Sequence, residues 1–234
     1  MQEENDVFTE SIRKYFKEVQ WRVQQFDDMR REMNVYLAQD FNVFDYIRPD
    51  ENRLSDIFAD LLNPLGTHGQ SAAFLQAFLA CAGLDFCWDK KFVRIERESA
   101  TSYIANPLRR MDITLNFANR FILCIENKPW AQEQEKQLED YRENMQRQCE
   151  EKYCLIYLIG DGSEPLSLQP EMKKAMLENK QLIIMDYAGA VQSWLQECMC
   201  CCQAEKIKFF IKDLSLYIEK KFATDDRKDE KNEL

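Results

Sequence analysis

The sequence contains little glycine and proline, with six residues of each type among 234. Folds that consist of many short strands need these residues in their turns, so the scarcity argues against an all-β architecture and favours long helices. Apolar residues nevertheless make up 45% of the chain and include 15 phenylalanines. This content suffices for a buried core and excludes global disorder.

Long uncharged apolar runs are also missing. No stretch approaches the length of about 18 residues that a membrane helix needs, so no membrane span is expected. Residues 1–10 lack a basic segment followed by an apolar one, so we expect no secretory signal. The nine cysteines are odd in number, and four of them crowd between Cys198 and Cys202 without the separated pairs of a zinc site. We expect them to pack at a helix end in a reducing cytoplasm.

An excess of basic residues is the third absence. The net charge of −10 argues against indiscriminate nucleic-acid binding through a positively charged surface. The charge is unevenly placed, since residues 1–10 carry four acids and no base, and residues 225–234 carry five acids and three bases. A local basic groove is compatible with the remainder, although composition does not predict one.

Hydrophobic periodicity divides the chain into helices and strands. Apolar residues at three- and four-residue spacings predict one long helix or a helical pair at the N-terminus, and later helices at 51–62, 71–82, 132–149, 171–179, 187–202 and 205–222. Alternating or continuous apolar segments rich in β-formers predict strands at 92–98, 111–117, 121–128, 153–159 and 182–185. This order indicates a mixed α/β domain in which helices cover a small sheet.

Three parts of the chain follow from this pattern. Residues 1–45 are predicted to form an N-terminal helical arm, in which the amphipathic helix spans about 6–40. Residues 46–222 are predicted to form the α/β domain, and residues 223–234 a charged, flexible tail.

The segment 110–128 carries the chemistry. Its two strands are joined so closely that they must form an antiparallel hairpin. A three-residue loop after Phe117 sets a register in which Asp112 lies directly opposite Glu126. Because side chains alternate along a strand, Asp112, Glu126 and Lys128 are predicted to share one face of the hairpin.

Two acids in directly opposite positions repel each other, and a divalent cation between them would remove that cost. Carboxylate oxygens suit Mg²⁺ or Mn²⁺, and Lys128 could hold an attacking water or neutralise charge on a phosphate. The structural alternative is an ordinary solvated strand end. The apolar companions Ile122, Leu123 and Ile125 favour catalysis, because a buried strand that ends on Glu and Lys calls for an explanation.

These residues resemble a known pattern. Asp112 followed by Glu126-Asn127-Lys128 is similar to the signature of the PD-(D/E)XK nuclease superfamily, with Met111 in place of the proline of the signature. On the next predicted helix, Gln137 and Tyr141 resemble the Q-x-x-x-Y element of the RecB-like branch. Upstream, the segments 51–64 and 66–69 look like the front of a bacterial and phage group within the superfamily. The resemblance covers about residues 48–160.

The resemblance implies a restriction-endonuclease-like core, with a central mixed sheet of four to five strands flanked by helices. The long N-terminal helix lies outside the resemblance. It also implies Mg²⁺- or Mn²⁺-dependent hydrolysis of phosphodiester bonds, usually of DNA. The catalytic candidates are Asp112, Glu126, Lys128, Glu51 and Gln137. The candidate metal ligands are Asp112, Glu126, the Asn127 carbonyl and Glu51, which is preferred over Asp56 as the acid of the first core helix. The candidates for nucleic-acid binding are Gln137, Tyr141, Arg110 and His68.

Several of these residues also have a structural interpretation. His68, the single histidine, lies in a glycine-bounded loop where a structural role is common. Arg109 and Arg110 either steer a phosphate or are solvated. Trp130 could stack on a base, although burial is favoured. Gln137 and Tyr141 could form an ordinary polar helix face with a packing tyrosine.

Two rival functions stay open at this point. A catalytically inactive nuclease-fold module that binds protein or nucleic acid would suit the acidic composition, and an RNA-cleaving variant is the second rival. For the active enzyme we expect nucleic acid as the partner, no membrane, a cytoplasmic setting, and a role in phage defence or DNA processing. The amphipathic N-terminal helix is compatible with a homodimer.

Overall fold

The computed structural model describes residues 2–38, 40–104, 109–118, 121–130, 134–160 and 164–222, with side chains from residue 10 onward. Two compact units make up the chain, Met1–Val43 and Phe44–Leu234. The first contains α1 (Gln2–Leu37), a single helix of 36 residues rather than a helical pair. The tail predicted at 223–234 lies outside the described residues.

The second unit is organised by a five-stranded sheet with the order β1-β2-β3-β4-β5. Its strands are β1 (Val93–Ala100), β2 (Arg110–Phe117), β3 (Ile122–Lys128), β4 (Tyr153–Ile159) and β5 (Leu182–Asp186). The first three strands pair antiparallel and the last three pair parallel, so the sheet is mixed, as predicted.

Helices cover both faces of this sheet. They are α2 (Val43–Ile47), α3 (Glu51–Leu62), α4 (Ala73–Cys81), α5 (Gln137–Cys149), α6 (Pro170–Glu178), α7 (Gln192–Cys201) and α8 (Glu205–Phe222). Side chains of α5 and α6, including Leu138 and Met176, share a buried cluster with Cys124 and Tyr157 of the sheet. On the other face, Phe58 of α3 packs edge-on against Trp194 of α7, with ring centroids 5.5 Å apart.

The β2–β3 register is the one that the short loop predicts. Ile113 pairs with Ile125 and Leu115 with Leu123. The backbone N–H of Phe117 donates to the carbonyl of Phe121 at 3.0 Å, which closes the hairpin. Loop residues 119 and 120 lie outside the described residues.

Helix α3 begins and ends where the sequence indicates. The carboxylate of Asp50 caps it by accepting a hydrogen bond from the backbone N–H of Arg53 at 2.8 Å, and Asn63 follows its last residue. Its apolar side, with Leu54 and Phe58 almost fully buried, packs onto the sheet. This packing fixes Glu51 in the first helical turn, beside the end of β3.

Helix α5 differs from the prediction. It begins at Gln137 rather than at residue 132. Lys136 has a φ of 58°, in the left-handed region, and cannot be part of a right-handed helix. The chain therefore turns sharply just before Gln137.

Two smaller expectations concern the cysteines and the membrane. Of the four cysteines predicted to pack at a helix end, Cys198 and Cys202 are buried at the end of α7, but Cys200 and Cys201 are exposed, so the prediction is wrong for these two. In the described parts of the chain, none of the helices combines the length and the apolar character that crossing a bilayer requires.

Candidate active site

Glu126 is the most deeply buried acid of the site, with an exposure of 0%. Its Oε1 accepts hydrogen bonds from Gln137 Nε2 at 2.6 Å and from Lys128 Nζ at 2.7 Å. Its Oε2 is buried as well and has no hydrogen-bond partner among the described residues. Because a buried carboxylate oxygen without a partner is costly, this atom marks a position that a cation would satisfy.

Lys128 lies between two acids. Its Nζ is 2.7 Å from Glu126 Oε1 and 2.9 Å from Glu51 Oε1. Burial lowers the pKa of Lys128, but the carboxylates of Glu126, Glu51 and Asp112 outweigh burial and hold that pKa above its ordinary value. Lys128 is therefore a permanent cation near neutral pH and a hydrogen-bond donor, not a base.

Asp112 stands where regular β2–β3 pairing ends. If the register continued, the backbone N–H of Asn127 would donate to the carbonyl of Met111; it donates instead to Asp112 Oδ2, at 2.8 Å. Burial raises the pKa of Asp112, while this N–H and the ammonium of Lys128 oppose the increase. The Asp112 carboxylate is thus held against the backbone of the Glu-x-Lys segment.

The acids influence one another electrostatically. Burial first, then the Asp112 carboxylate and to a smaller extent Glu51, together raise the pKa of Glu126 to about 8 against the opposing effect of Lys128. In the metal-free protein, Glu126 therefore takes up a proton more readily than an ordinary glutamate does. The structure brings Asp112, Glu126, Lys128 and Glu51 into one electrostatic group, as the sequence predicts.

Asn127 points to the opposite face of β3. Its Nδ2 donates to Ser55 Oγ at 2.9 Å and to the Glu51 carbonyl at 3.3 Å, and its Oδ1 accepts from the Tyr187 hydroxyl at 2.6 Å. This buried network occupies the side-chain amide. The metal-ligand role predicted for the main-chain carbonyl of Asn127 does not involve this amide and stays a prediction.

Gln137 and Tyr141 of α5 hold Glu126 in position: Gln137 contacts the Glu126 carboxyl group directly, and Tyr141 contacts Gln137. Gln137 Nε2 lies 2.6 Å from Glu126 Oε1 and 3.0 Å from the Tyr141 hydroxyl. Tyr141 is almost fully buried, and its hydroxyl donates to the main-chain carbonyl of Arg110. These contacts fit the positioning of a carboxylate better than direct contact with nucleic acid.

The structure does not bring His68 to the carboxylates. Its ring is buried, stacks on Phe74 with centroids 4.7 Å apart, and bonds to the Asn63 carbonyl through Nε2 at 2.9 Å. Its Nδ1 accepts from the backbone N–H of Gln70 at 3.0 Å. His68 follows the C-terminal end of α3, whereas Glu51 lies at the other end, and a helix of 12 residues spans about 18 Å. His68 thus organises its loop.

The flanking arginines differ in their environments. Arg109 is mostly buried and forms an ion pair with Asp140 at the start of α5, so it ties β2 to that helix. Arg110 is exposed and forms an ion pair of 3.0 Å with Glu98 on the neighbouring strand. Arg110 is therefore accessible to a ligand, and Arg109 is committed to the fold.

Trp130 is half exposed at 51%, so the favoured expectation of burial is wrong. Only two residues separate it from Asn127, and its indole stacks on Phe222 with ring centroids 5.4 Å apart. The ring is thereby held in place beside the end of β3 while part of its surface stays open to solvent.

Sequence reasoning missed Arg97. Its guanidinium donates to the main-chain carbonyls of Asp112 and Asn52, the latter at 3.2 Å, and to Asp56 Oδ1 at 2.7 Å. It therefore connects β1, β2 and the first turn of α3. It also accounts for Asp56, the rival of Glu51, which pairs with this arginine rather than with Lys128. Nothing in the sequence singles out Arg97, because it stands between Glu96 and Glu98 in a strand that is rich in charged residues.

Removing the Tyr187 hydroxyl tests the network behind the site. We expect Tyr187→Phe to lower the free energy of unfolding by about 1–3 kcal/mol, because it leaves the buried Oδ1 of Asn127 without its 2.6 Å donor. Urea denaturation of the metal-free protein measures the change, with Tyr103→Phe at a half-exposed position as the control. Equal losses in the two variants would show that the Tyr187 bond contributes nothing specific.

The donor set can be tested against a metal. Within the described ranges, no three His, Cys, Asp or Glu side chains are grouped to hold an ion. The candidate set instead combines two carboxylates, Asp112 and Glu126, with a main-chain carbonyl. All are oxygen donors, and Mg²⁺ keeps several waters when few protein ligands are present. With the unpaired Glu126 Oε2 at its centre, this set fits a hard divalent ion.

Together, the mixed sheet, the acid at the end of β2, the Glu-x-Lys end of β3 and the acid on α3 define a nuclease-type α/β fold of the restriction-endonuclease class. A family model described as the PD-(D/E)XK nuclease superfamily matches residues 41–213, and the chain belongs to that superfamily. The match extends beyond residue 160, where the sequence resemblance ends, and reaches into α8. Members are nucleases and generally depend on divalent metal ions. Comparison with curated proteins and with solved structures gives no match.

Proposed function

We propose that this chain is an active Mg²⁺- or Mn²⁺-dependent nuclease that hydrolyses phosphodiester bonds of DNA. The observation that carries the proposal is the buried, unpaired Oε2 of Glu126, beside the Asp112 carboxylate and the Lys128 cation. An inactive fold would gain stability by replacing such an acid with an apolar residue of similar volume.

The residues that would hold the ion are Asp112, Glu126 and the main-chain carbonyl of Asn127, with Glu51 farther out. A divalent ion supplies Lewis acidity toward the phosphate and lowers the pKa of water. Gln137 fixes Oε1 of Glu126, which leaves Oε2 as the free donor atom. The backbone N–H of Asn127 fixes Oδ2 of Asp112 in the same way.

Lys128 contributes a fixed positive charge. Because its pKa stands above the ordinary value, the ammonium donates hydrogen bonds rather than accepting a proton. It can orient the attacking water in line with the scissile bond and neutralise charge on the phosphate oxygens. Glu51, 2.9 Å away, keeps the ammonium from swinging toward solvent.

The nucleic-acid contacts are proposed at the exposed positions around this centre. Arg110 can exchange its ion pair with Glu98 for a phosphate. The open part of the Trp130 ring can stack on a base. Gln137 and Tyr141 act through Glu126, since both are buried.

The rival is a catalytically inactive module that binds protein or nucleic acid. One observation favours it: Lys128 already pairs with Glu51 and Glu126, so these two acids have a counter-charge without a metal. An RNA-cleaving enzyme is the other alternative. For the DNA nuclease we propose a cytoplasmic setting in phage defence or DNA processing, and a homodimer through the N-terminal helix.

The direct test is incubation with linear, circular and single-stranded DNA and with RNA in Mn²⁺ buffer, with chelator as the blank. Metal-dependent cleavage of DNA supports the proposal. Cleavage of RNA alone supports the second rival. No cleavage of any substrate by a correctly folded protein supports the inactive module.

Metal binding can be measured without activity. We expect Mg²⁺ or Mn²⁺ to stabilise the protein by roughly 2.7 kcal/mol at a hundredfold excess over the dissociation constant. Asp112→Asn should remove this stabilisation, because it replaces a carboxylate of the donor set by a neutral amide. Thermal unfolding with and without metal gives the result, and Asp85→Asn at an exposed position is the control. A full metal response in Asp112→Asn would contradict the assignment.

A further inference from the structure

Helix α1 carries many large apolar side chains that are exposed to solvent. Phe16 is 61% exposed, Phe26 62% and Tyr36 88%. A long amphipathic helix usually buries such an apolar side against a partner. Exposed apolar patches larger than a few hundred Å² generally mark interaction sites. The surface is defined here as the α1 stripe, whose members are Ile12, Tyr15, Phe16, Val19, Val23, Phe26, Met29, Met33, Tyr36 and Leu37.

The stripe follows a seven-residue repeat. Starting from Ile12, its central positions alternate at steps of four and three residues through Leu37, which are the a and d positions of a heptad. Phe16, Val23, Arg30 and Leu37 occupy a, and Ile12, Val19, Phe26 and Met33 occupy d. The opposite side of the described helix is polar apart from Trp21 and Val35. A strict seven-residue repeat is shorter than two turns of a straight helix and therefore predicts a left-handed coiled coil.

The area of the stripe is sufficient for a stable pair. Four aromatic side chains of roughly 200 Å² each, at their observed exposures, contribute on the order of 550 Å² per helix, or about 1,100 Å² for two helices. This exposed area is comparable with the roughly 1,000 Å² that a specific interface buries, and the aliphatic residues of the stripe add to it.

The charges beside the stripe are complementary to a second copy of the same helix. We propose that α1 pairs with α1 of a second chain as a parallel, in-register, two-stranded coiled coil. In this arrangement Arg22 at a g position faces Asp27 at the e position of the other helix, twice by symmetry. The other g and e positions from Tyr15 to Asn34 place no like charges opposite each other. An antiparallel pairing that matches Phe16 with Phe26 would instead place the two Arg22 side chains together.

Arg30 is the polar residue at an a position, and the structure already neutralises it. Its guanidinium pairs with Asp40 Oδ1 at 2.5 Å, and Asn34 donates to Asp40 Oδ2 at 3.0 Å. A single polar a position specifies register and strand number at some cost in stability. The Arg30 layer therefore favours two strands in register.

Oligomeric state is the first test. Light scattering and sedimentation of the full chain should give twice the chain mass of 27.9 kDa. Phe26→Glu should weaken the dimer at least about tenfold, because it places a charge in the apolar seam. Trp21→Glu is the matched control, since Trp21 is equally exposed, at 63%, but lies on the polar side. A monomeric or tetrameric wild type, or equal weakening by both substitutions, would overturn the proposal.

Charge reversal tests the parallel register, with circular dichroism as the check that α1 stays helical. Arg22→Glu should weaken the dimer, because it places a carboxylate opposite Asp27. The double variant Arg22→Glu/Asp27→Arg should form a tighter dimer than Arg22→Glu alone, although both variants lack the ion pair of 2.7 Å that Arg22 forms with Glu18 in its own helix. A double variant that dimerises no more tightly than Arg22→Glu would exclude the parallel arrangement.

Discussion

Lys128→Ala is expected to reduce metal-dependent cleavage by at least roughly 10²–10³-fold, the effect of removing one preorganised donor from a buried reaction centre. The ammonium is fixed between Glu51 and Glu126, and it lies 2.7 Å from Oε1 of the same Glu126 carboxyl group that carries the unpaired Oε2. Its loss removes the group that we propose to orient the water and to neutralise the phosphate. Initial rates of DNA cleavage in Mn²⁺ measure the change.

The fold should survive this substitution. Removing Lys128 leaves two acids facing each other, but Glu126 can take up a proton, since its pKa already stands at about 8. We therefore expect a cooperative thermal transition at neutral pH. Lys152→Ala, at an exposed position next to β4, is the matched control and should cleave at the wild-type rate. Wild-type cleavage by a folded Lys128→Ala would show that the ammonium has no catalytic role.

The sequence contains enough information for the hairpin because its geometry is local. A three-residue connection fixes the pairing of Ile113 with Ile125, and alternation then brings Asp112, Glu126 and Lys128 together. The positions of Glu51 and Asp56, five residues apart on α3, likewise place them on different sides of the helix, so that Glu51 is the acid that reaches β3. The five-stranded mixed sheet follows from the order of periodic segments. Each of these inferences depends on residues within one or two neighbouring elements.

What escaped prediction depends on contacts between distant segments. Arg97 reaches Asn52 across 45 residues, and Tyr187 reaches Asn127 across 60. Both bonds exist only after α3 and the region following β5 have packed on the same face of the sheet. The position of the Trp130 ring depends in the same way on stacking against Phe222, which is also far away in the sequence. No local spacing encodes these pairings.

The position of Gln137 shows an intermediate case. Its spacing to Tyr141, one helical turn, predicts a shared face, and the structure confirms the 3.0 Å contact between them. That this face turns inward, so that Gln137 bonds to Glu126 instead of meeting a ligand, depends on how α5 lies against β3. The sequence pattern therefore predicts that Gln137 contacts Tyr141 on the same helix, but it does not predict which residue of the sheet Gln137 contacts.

Glu126→Gln is expected to abolish the metal response and cleavage, yet to make the metal-free protein more stable than the wild type at high pH. Glutamine has the shape of the protonated acid and can accept the hydrogen bonds of Gln137 and Lys128 through its oxygen. It cannot provide the anionic oxygen that a divalent ion requires. Stability and metal binding should therefore change in opposite directions.

The pH dependence follows from proton binding. Burial raises the pKa of Glu126 from 4.5 to about 8, so between these values the folded wild type holds a proton that the unfolded chain has released. The free energy of unfolding of the wild type therefore falls as pH rises from about 4.5 through about 8. The variant does not lose stability in this way, so its advantage over the wild type should grow by roughly 5 kcal/mol up to pH 9, since each pKa unit between 4.5 and about 8 corresponds to about 1.4 kcal/mol.

Urea denaturation in chelator at acidic, neutral and alkaline pH measures this difference. Asp112 titrates in both proteins, so the difference between the two curves reports Glu126 together with its electrostatic coupling to Asp112. Glu171→Gln, at an exposed position on α6, is the control and should follow the wild type throughout. Parallel curves for the wild type and Glu126→Gln would show that the Glu126 pKa is not raised. Unchanged metal stabilisation in the variant would remove Glu126 from the donor set, because an amide oxygen would then bind the ion as well as a carboxylate does.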